Sequence, residues 1–148
     1  MKKDKPRKNR QTGVKVHFDH ERLNVYQSSL DFINWLNEIL SDQPKNNAIV
    51  NQLARASISI PLNIAEGNGK YTSADRCRFF DIARGSALEC AASLDVLVVQ
   101  GMKEEADISE GKEYLRSIVS MLVGLIKANS NRVHDYNGEE HQEDFDEK

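Results

Sequence analysis

Apolar residues recur along most of this chain at intervals of three and four, the period of a helix that buries one face. Leu23, Tyr26, Leu30, Ile33, Leu36 and Leu40 predict a first helix over about residues 19–40, ended by Ser41-Asp42-Gln43-Pro44. A second helix, about 47–66, carries the stripe Leu53, Ser57, Ile60 and Ile64. Ile58, Leu62 and Ala65 widen that stripe beyond one face, so this helix should meet two neighbours or a second chain. Pro61 lies inside it, removes a backbone donor, frees the Ser57 carbonyl and predicts a kink. Gly67 is the expected C-terminal cap.

Thr72 or Ser73 can cap the next helix, with Asp75 in its first turn. That third helix, about 73–100, turns Phe79, Phe80, Ala83, Ala87, Cys90, Leu94, Leu97 and Val98 inward. Gly85, Ser86, Ala87 and Ala91 keep it slim enough for close approach by a neighbour. Gly101 closes it, and a fourth helix over about 109–133 carries Leu115, Ile118, Leu122, Leu125 and Ile126. There is no strand-like alternation and no internal repeat. Four helices with short connections predict an all-α fold, an antiparallel up-down-up-down four-helix bundle.

A length of 148 residues suits one domain with a sizeable core. Charge divides it into three parts. Residues 1–15 hold seven basic side chains (Lys2, Lys3, Lys5, Arg7, Lys8, Arg10 and Lys15) against Asp4 alone. Residues 139–148 hold six acids, Glu139, Glu140, Glu143, Asp144, Asp146 and Glu147, against Lys148. The net charge of -3 therefore conceals a basic arm (1–18), a bundle (19–136) and an acidic tail (137–148), with both ends expected to be disordered. The arm has no apolar stretch behind it, so it does not read as a secretory signal, and no window is apolar enough for a membrane span. Cys77 and Cys90 share one helix about 20 Å apart, too far to bridge. They read as thiols in a reducing cytoplasm.

Charged residues inside the bundle sequence form a mirror pattern. Arg55 precedes Glu66 by eleven residues, and Arg78 precedes Glu89 by eleven. Eleven residues make about three turns, so each pair lies on one stripe. Arg55/Glu89 and Glu66/Arg78 are both centred on residue 72. An antiparallel hairpin should therefore pair Arg55 with Glu89 and Glu66 with Arg78, with Asn63 in the same sector. Such ion pairs would set register, within the chain or at a subunit interface. The functional reading of the same residues is a polar site for an RNA phosphate or a partner's side chain.

Enzymatic chemistry is not expected. Charge-compensated carboxylates stay ionised, and His17, His20, His134 and His141 lie near or beyond the ends of the bundle. A bundle metal site would need inward Glu residues with Glu-x-x-His, which is not found, so neither metal nor cofactor is expected. Arg132-Val-His134 has the residues but not the spacing of a helical ribonuclease motif. The aromatic residues Tyr26, Trp35, Phe79, Phe80 and Tyr114 read as core or interface anchors. Trp35 falls beside the inner stripe of the first helix, which suggests burial at a subunit contact.

Arg55-x-x-x-Ser-Ile-Pro-x-Asn-Ile-Ala-Glu-Gly, followed by Arg-Phe-Phe-x-Ile-Ala-Arg-Gly-Ser-Ala-x-Glu89, resembles the 23S rRNA intervening-sequence proteins over about residues 22–135. The resemblance implies a bacterial four-helix bundle assembled as a homopentameric ring. The family name reflects gene location within ribosomal RNA insertions. A similar branch, the accessory proteins of diversity-generating retroelements, is a basic pentamer that binds nucleic acid and a reverse transcriptase. This chain departs from that branch, since its body carries 12 Lys/Arg against 16 Asp/Glu. RNA or DNA binding would then rest mostly on the basic arm, by salt-sensitive contacts to phosphate. Two functions follow as expectations: a cytoplasmic, non-enzymatic, nucleic-acid-associated scaffold, or a protein-interaction adaptor whose charged ends control solubility.

Overall fold

The computed structural model describes residues 15–137, with side chains through residue 130. The basic side chains of residues 1–14 and the acidic tail, both expected to be disordered, lie outside the described residues. A short 3-10 turn, Asp19–Arg22, leads into α1 (Asn24–Leu40), α2 (Ala48–Gly69), α3 (Ser73–Val99) and α4 (Glu105–Asn137). The helices neighbour one another in the cyclic order α1–α2–α3–α4–α1, the square of an up-down-up-down bundle.

Local chemistry explains the helix boundaries. Asn47 Oδ1 accepts from the backbone N–H groups of Ile49 (3.0 Å) and Val50 (3.3 Å), capping α2. Thr72 Oγ1 accepts from Asp75 N at 3.1 Å and caps α3, as its sequence position suggests. α3 ends at Gly101 (φ 73°), where Gly101 N donates to Val98 O and Met102 N to Leu97 O, both at 2.9 Å. α4 begins four residues before its expected start. Asp107 Oδ2 reaches back to Glu104 N at 2.9 Å, and Glu105 and Asp107 place negative charge in its first turn.

The core runs the length of the bundle through Phe32, Leu36, Leu53, Ile60, Ile64, Phe80, Leu94, Leu97, Leu115, Ile118 and Leu122. The α2, α3 and α4 stripes match their sequence periodicity, but α1 does not. Its buried residues are Val25, Ser29, Phe32, Trp35 and Leu36, so the helix is rotated by roughly one residue, about 100°, from the Leu/Ile stripe. α1 is apolar on two sides, and Phe32 with Trp35 fills more of the core than Leu30 with Ile33. Ser29 enters the core because its Oγ donates to Tyr26 O at 2.6 Å.

Two further expectations change. Trp35, expected at a subunit contact, is already buried within the chain, 7% exposed. It stacks near Phe32, with ring centroids 5.8 Å apart, and lies against Gly111 of α4. Gly67 does not cap α2, which continues to Gly69. A Cβ on Gly67 would sit 2.9 Å from the Phe80 ring, so the glycine allows close approach of α3. Pro61 itself is buried within α2, where the Ser57 hydroxyl donates to Ala54 O at 2.9 Å.

Candidate interaction surface

The α2–α3 hairpin carries the mirrored charges on its outer side. Because Leu53, Ser57, Ile60 and Ile64 face the core, Arg55 and Glu66 fall on the far side of α2. The edge that meets α3 is built from Gln52, Ser59 and Asn63. Ser59 and Ser86 share an Oγ–Oγ hydrogen bond of 2.8 Å. Asn63 Nδ2 donates to Ser59 O (2.8 Å) and Ser59 Oγ (3.0 Å), so Asn63 braces this seam.

Neither expected ion pair forms within the chain. Gln52 Nε2, one turn before Arg55, donates to Glu89 Oε1. The Arg78 guanidinium stacks over the Phe79 ring at 4.8 Å, and Lys70 Nζ lies over that same ring at 4.9 Å. Among the described residues the ion pairs are Arg84–Asp81, Lys103–Asp42 and Lys112–Asp95. The hairpin level is close to the expected one, since Gln52 opposite Glu89 and Ser59 opposite Ser86 lie near the residue-72 centre. The wheel orientation, and not the register, separates the charges.

Exposed apolar residues lie among these charges. Ile58 is 51% and Leu62 60% exposed on α2, and Ile82 and Leu88 are exposed on α3. Gly85, on the outer side of α3, has open space where a Cβ would be.

A second group of residues gathers at one end of the bundle and was not recognisable from periodicity. Asn68 Nδ2 donates to Asp19 Oδ2 at 3.0 Å, tying the 3-10 turn to the end of α2. Arg76 donates to Asn68 O (2.6 Å) and to Asn129 Oδ1 (3.0 Å), tying in α3 and α4. Glu21 Oε2 accepts from His17 N (2.7 Å) and Phe18 N (2.6 Å), and these donors hold its carboxyl below the usual range. Tyr71 is fully exposed at this end, and Phe18 is 67% exposed. Of the basic residues singled out in the arm, Lys15 is described and exposed. Lys2, Lys3, Lys5, Arg7, Lys8 and Arg10 lie outside the described residues.

Neither cysteine is bridged, and Cys90 is buried in the core, where desolvation and then the neighbouring Glu89 push its thiol up to about 12. No helix among the described residues is long and apolar enough to cross a membrane.

The fold is similar to a crystal structure from Bacteroides thetaiotaomicron, described as a protein with unknown function from the S23 ribosomal protein family. The two share 24% identity and superpose with a TM-score of 0.64, over 70% of this chain and 98% of that one. At that identity the likeness concerns the fold. A comparison with curated proteins finds no match. The family model described as 23S rRNA-intervening sequence protein matches residues 21–124, which span α1 to most of α4 and include both mirrored motifs. This chain belongs to the 23S rRNA-intervening sequence protein family.

Proposed function

We propose that this protein is a non-enzymatic, self-associating scaffold that works in company with nucleic acid. The observation that carries the reading is the outer face of the α2–α3 hairpin. It combines exposed Ile58, Leu62, Ile82 and Leu88 with two positive and two negative side chains that form no ion pair among the described residues. The α2 side of this face in one copy is complementary in charge to the α3 side in another. When α2 of one copy lies antiparallel beside α3 of the next, Arg55 meets Glu89 and Glu66 meets Arg78 across the seam. Gly85 leaves room for the close approach. Contacts between two different patches build rings where the rotation closes, which agrees with a homopentamer.

The nucleic-acid part rests on the seven Lys/Arg of residues 1–15 and on the family's association with ribosomal RNA intervening sequences. A non-enzymatic role agrees with the chemistry of the buried Cys90, whose thiol stays protonated near neutral pH.

Sedimentation velocity tests self-association. The expected species is a multiple of the 16.8 kDa chain, five for a ring, and Leu62→Glu should return it to monomer. A wild-type monomer at micromolar concentration overturns the scaffold reading. Nucleic-acid binding is tested by a salt titration of the full chain against a variant with Lys2, Lys3, Lys5, Arg7, Lys8 and Arg10 changed to Gln. The variant should bind more weakly and with a shallower salt slope.

A further inference from the structure

We propose that the end of the bundle built from the 3-10 turn and the α2–α3 turn is a binding surface for single-stranded nucleic acid, with Phe18 and Tyr71 as base-stacking rings. This inference rests on the nucleic-acid reading above and names the form of the ligand and where it sits.

Topology brings the parts together. The start of α1, the end of α2, the start of α3 and the end of α4 share this end, locked by the Asp19–Asn68–Arg76–Asn129 chain of hydrogen bonds. The described chain enters at this end through the exposed Lys15, just before the 3-10 turn. Lys70, its Nζ 4.9 Å over the Phe79 ring, and Lys15 add positive charge at this end, while Arg78 belongs to the subunit seam proposed above.

The rings themselves are held outward. Phe18 stacks on His20 with centroids 5.9 Å apart and planes 10° from parallel. His20 in turn meets Tyr26 edge-on at 4.8 Å. The Phe18 backbone is fixed by its bond to Glu21, so the ring projects from an anchored position. Phe18 is 67% exposed, which leaves ring surface on which a base can extend the stack. Tyr71 sits at the turn with its ring fully exposed.

The nearby acids Asp19 and Glu21 weigh against phosphate. Asp19 accepts from Asn68, and the two backbone donors to Glu21 keep it ionised, so the rings carry the selectivity more than the charge does. Exposed rings beside spaced cations suit a strand whose bases are unstacked. A duplex offers its phosphates but not its base faces, so the rings discriminate between the two forms.

The test is fluorescence anisotropy on the full chain with a labelled oligo(U) RNA, an oligo(dT) DNA and a DNA duplex of equal length, in about 50 mM salt. Both single strands should bind more tightly than the duplex. A preference for one of them assigns RNA or DNA. Phe18→Ala and Tyr71→Ala should each weaken single-strand binding by roughly tenfold, the size of one lost base stack, without changing the salt slope. Duplex binding should stay the same in both variants. Both side chains are exposed, and unchanged circular dichroism confirms that the variants fold. Equal affinity for duplex and single strands, or ring variants that bind like the parent, overturns the platform while leaving the basic arm's binding intact. No binding of any probe overturns the nucleic-acid reading itself, and the platform with it.

Discussion

Trp35 of α1 lies so close to the backbone of Gly111 in α4 that a Cβ there would fall 2.2 Å from Cη2 and Cζ3 of the indole. Helix propensity alone favours alanine over glycine at such a site by about 1 kcal/mol. Overpacking a fitted core costs about 1–3 kcal/mol and occasionally more. The clash should win, because helix backbone and a buried ring both resist movement. Gly111→Ala is therefore expected to lower the urea midpoint, and Trp35→Phe should offset part of that loss in the double variant. An additive double variant would mean that the two residues do not share the strain.

Two other glycines should behave oppositely. Gly67→Ala drives a methyl to 2.9 Å from the Phe80 ring, so destabilisation of about 1–3 kcal/mol is expected. Gly85 faces open space, and Gly85→Ala should stabilise the isolated bundle by about 0.5–1 kcal/mol. If α3 packs there against another copy, the same variant weakens assembly. Chemical denaturation and sedimentation of each variant separate the two effects.

Cys90 gives an alkaline signature. Its thiol is raised from an ordinary 9.0 to about 12 by burial, so the unfolded chain loses the proton first. The stability this provides is present below pH 9 and is lost as pH rises towards 12. Replacing Cys90 with Ala should flatten the fall in stability over that window, measured by urea titrations at several pH values. An identical slope in both proteins would show that other groups govern it.

The acidic segment after α4 leaves the bundle at the same end as the basic arm enters, since α1 begins and α4 finishes there. Changing Glu139, Glu140, Glu143, Asp144, Asp146 and Glu147 to amides raises the net charge from -3 by six, to +3. Nucleic-acid binding should then tighten severalfold in about 50 mM salt, with the gain shrinking as salt screens the charges. An unchanged affinity at low salt would mean that the acids do not compete for the arm.

Much of the fold was legible because helix period and capping are local properties. The α2 stripe, Thr72 at the start of α3 and Gly101 at its end needed nothing beyond neighbouring residues. α1 misled because two of its faces are apolar, and the choice between them depends on what the other helices leave to be filled. Gly67 misled for a related reason. A glycine that ends a helix and one that admits a ring look alike in sequence.

The mirrored charges show the same division. Their spacing placed Arg55 with Glu66, and Arg78 with Glu89, on single stripes and came close to the hairpin level. Whether each stripe faces its neighbour or solvent depends on how far each helix turns to bury its core side chains, and burial costs or gains outweigh an exposed ion pair of at most about 1 kcal/mol. By itself the sequence determined the helices, their order, their family and the uneven charge of the ends. Only the tertiary structure decided that those charges face outward, that Trp35 packs on Gly111, and that Phe18 and Tyr71 share one end of the bundle. Those outcomes depend on contacts between residues far apart in the chain, which no local pattern records.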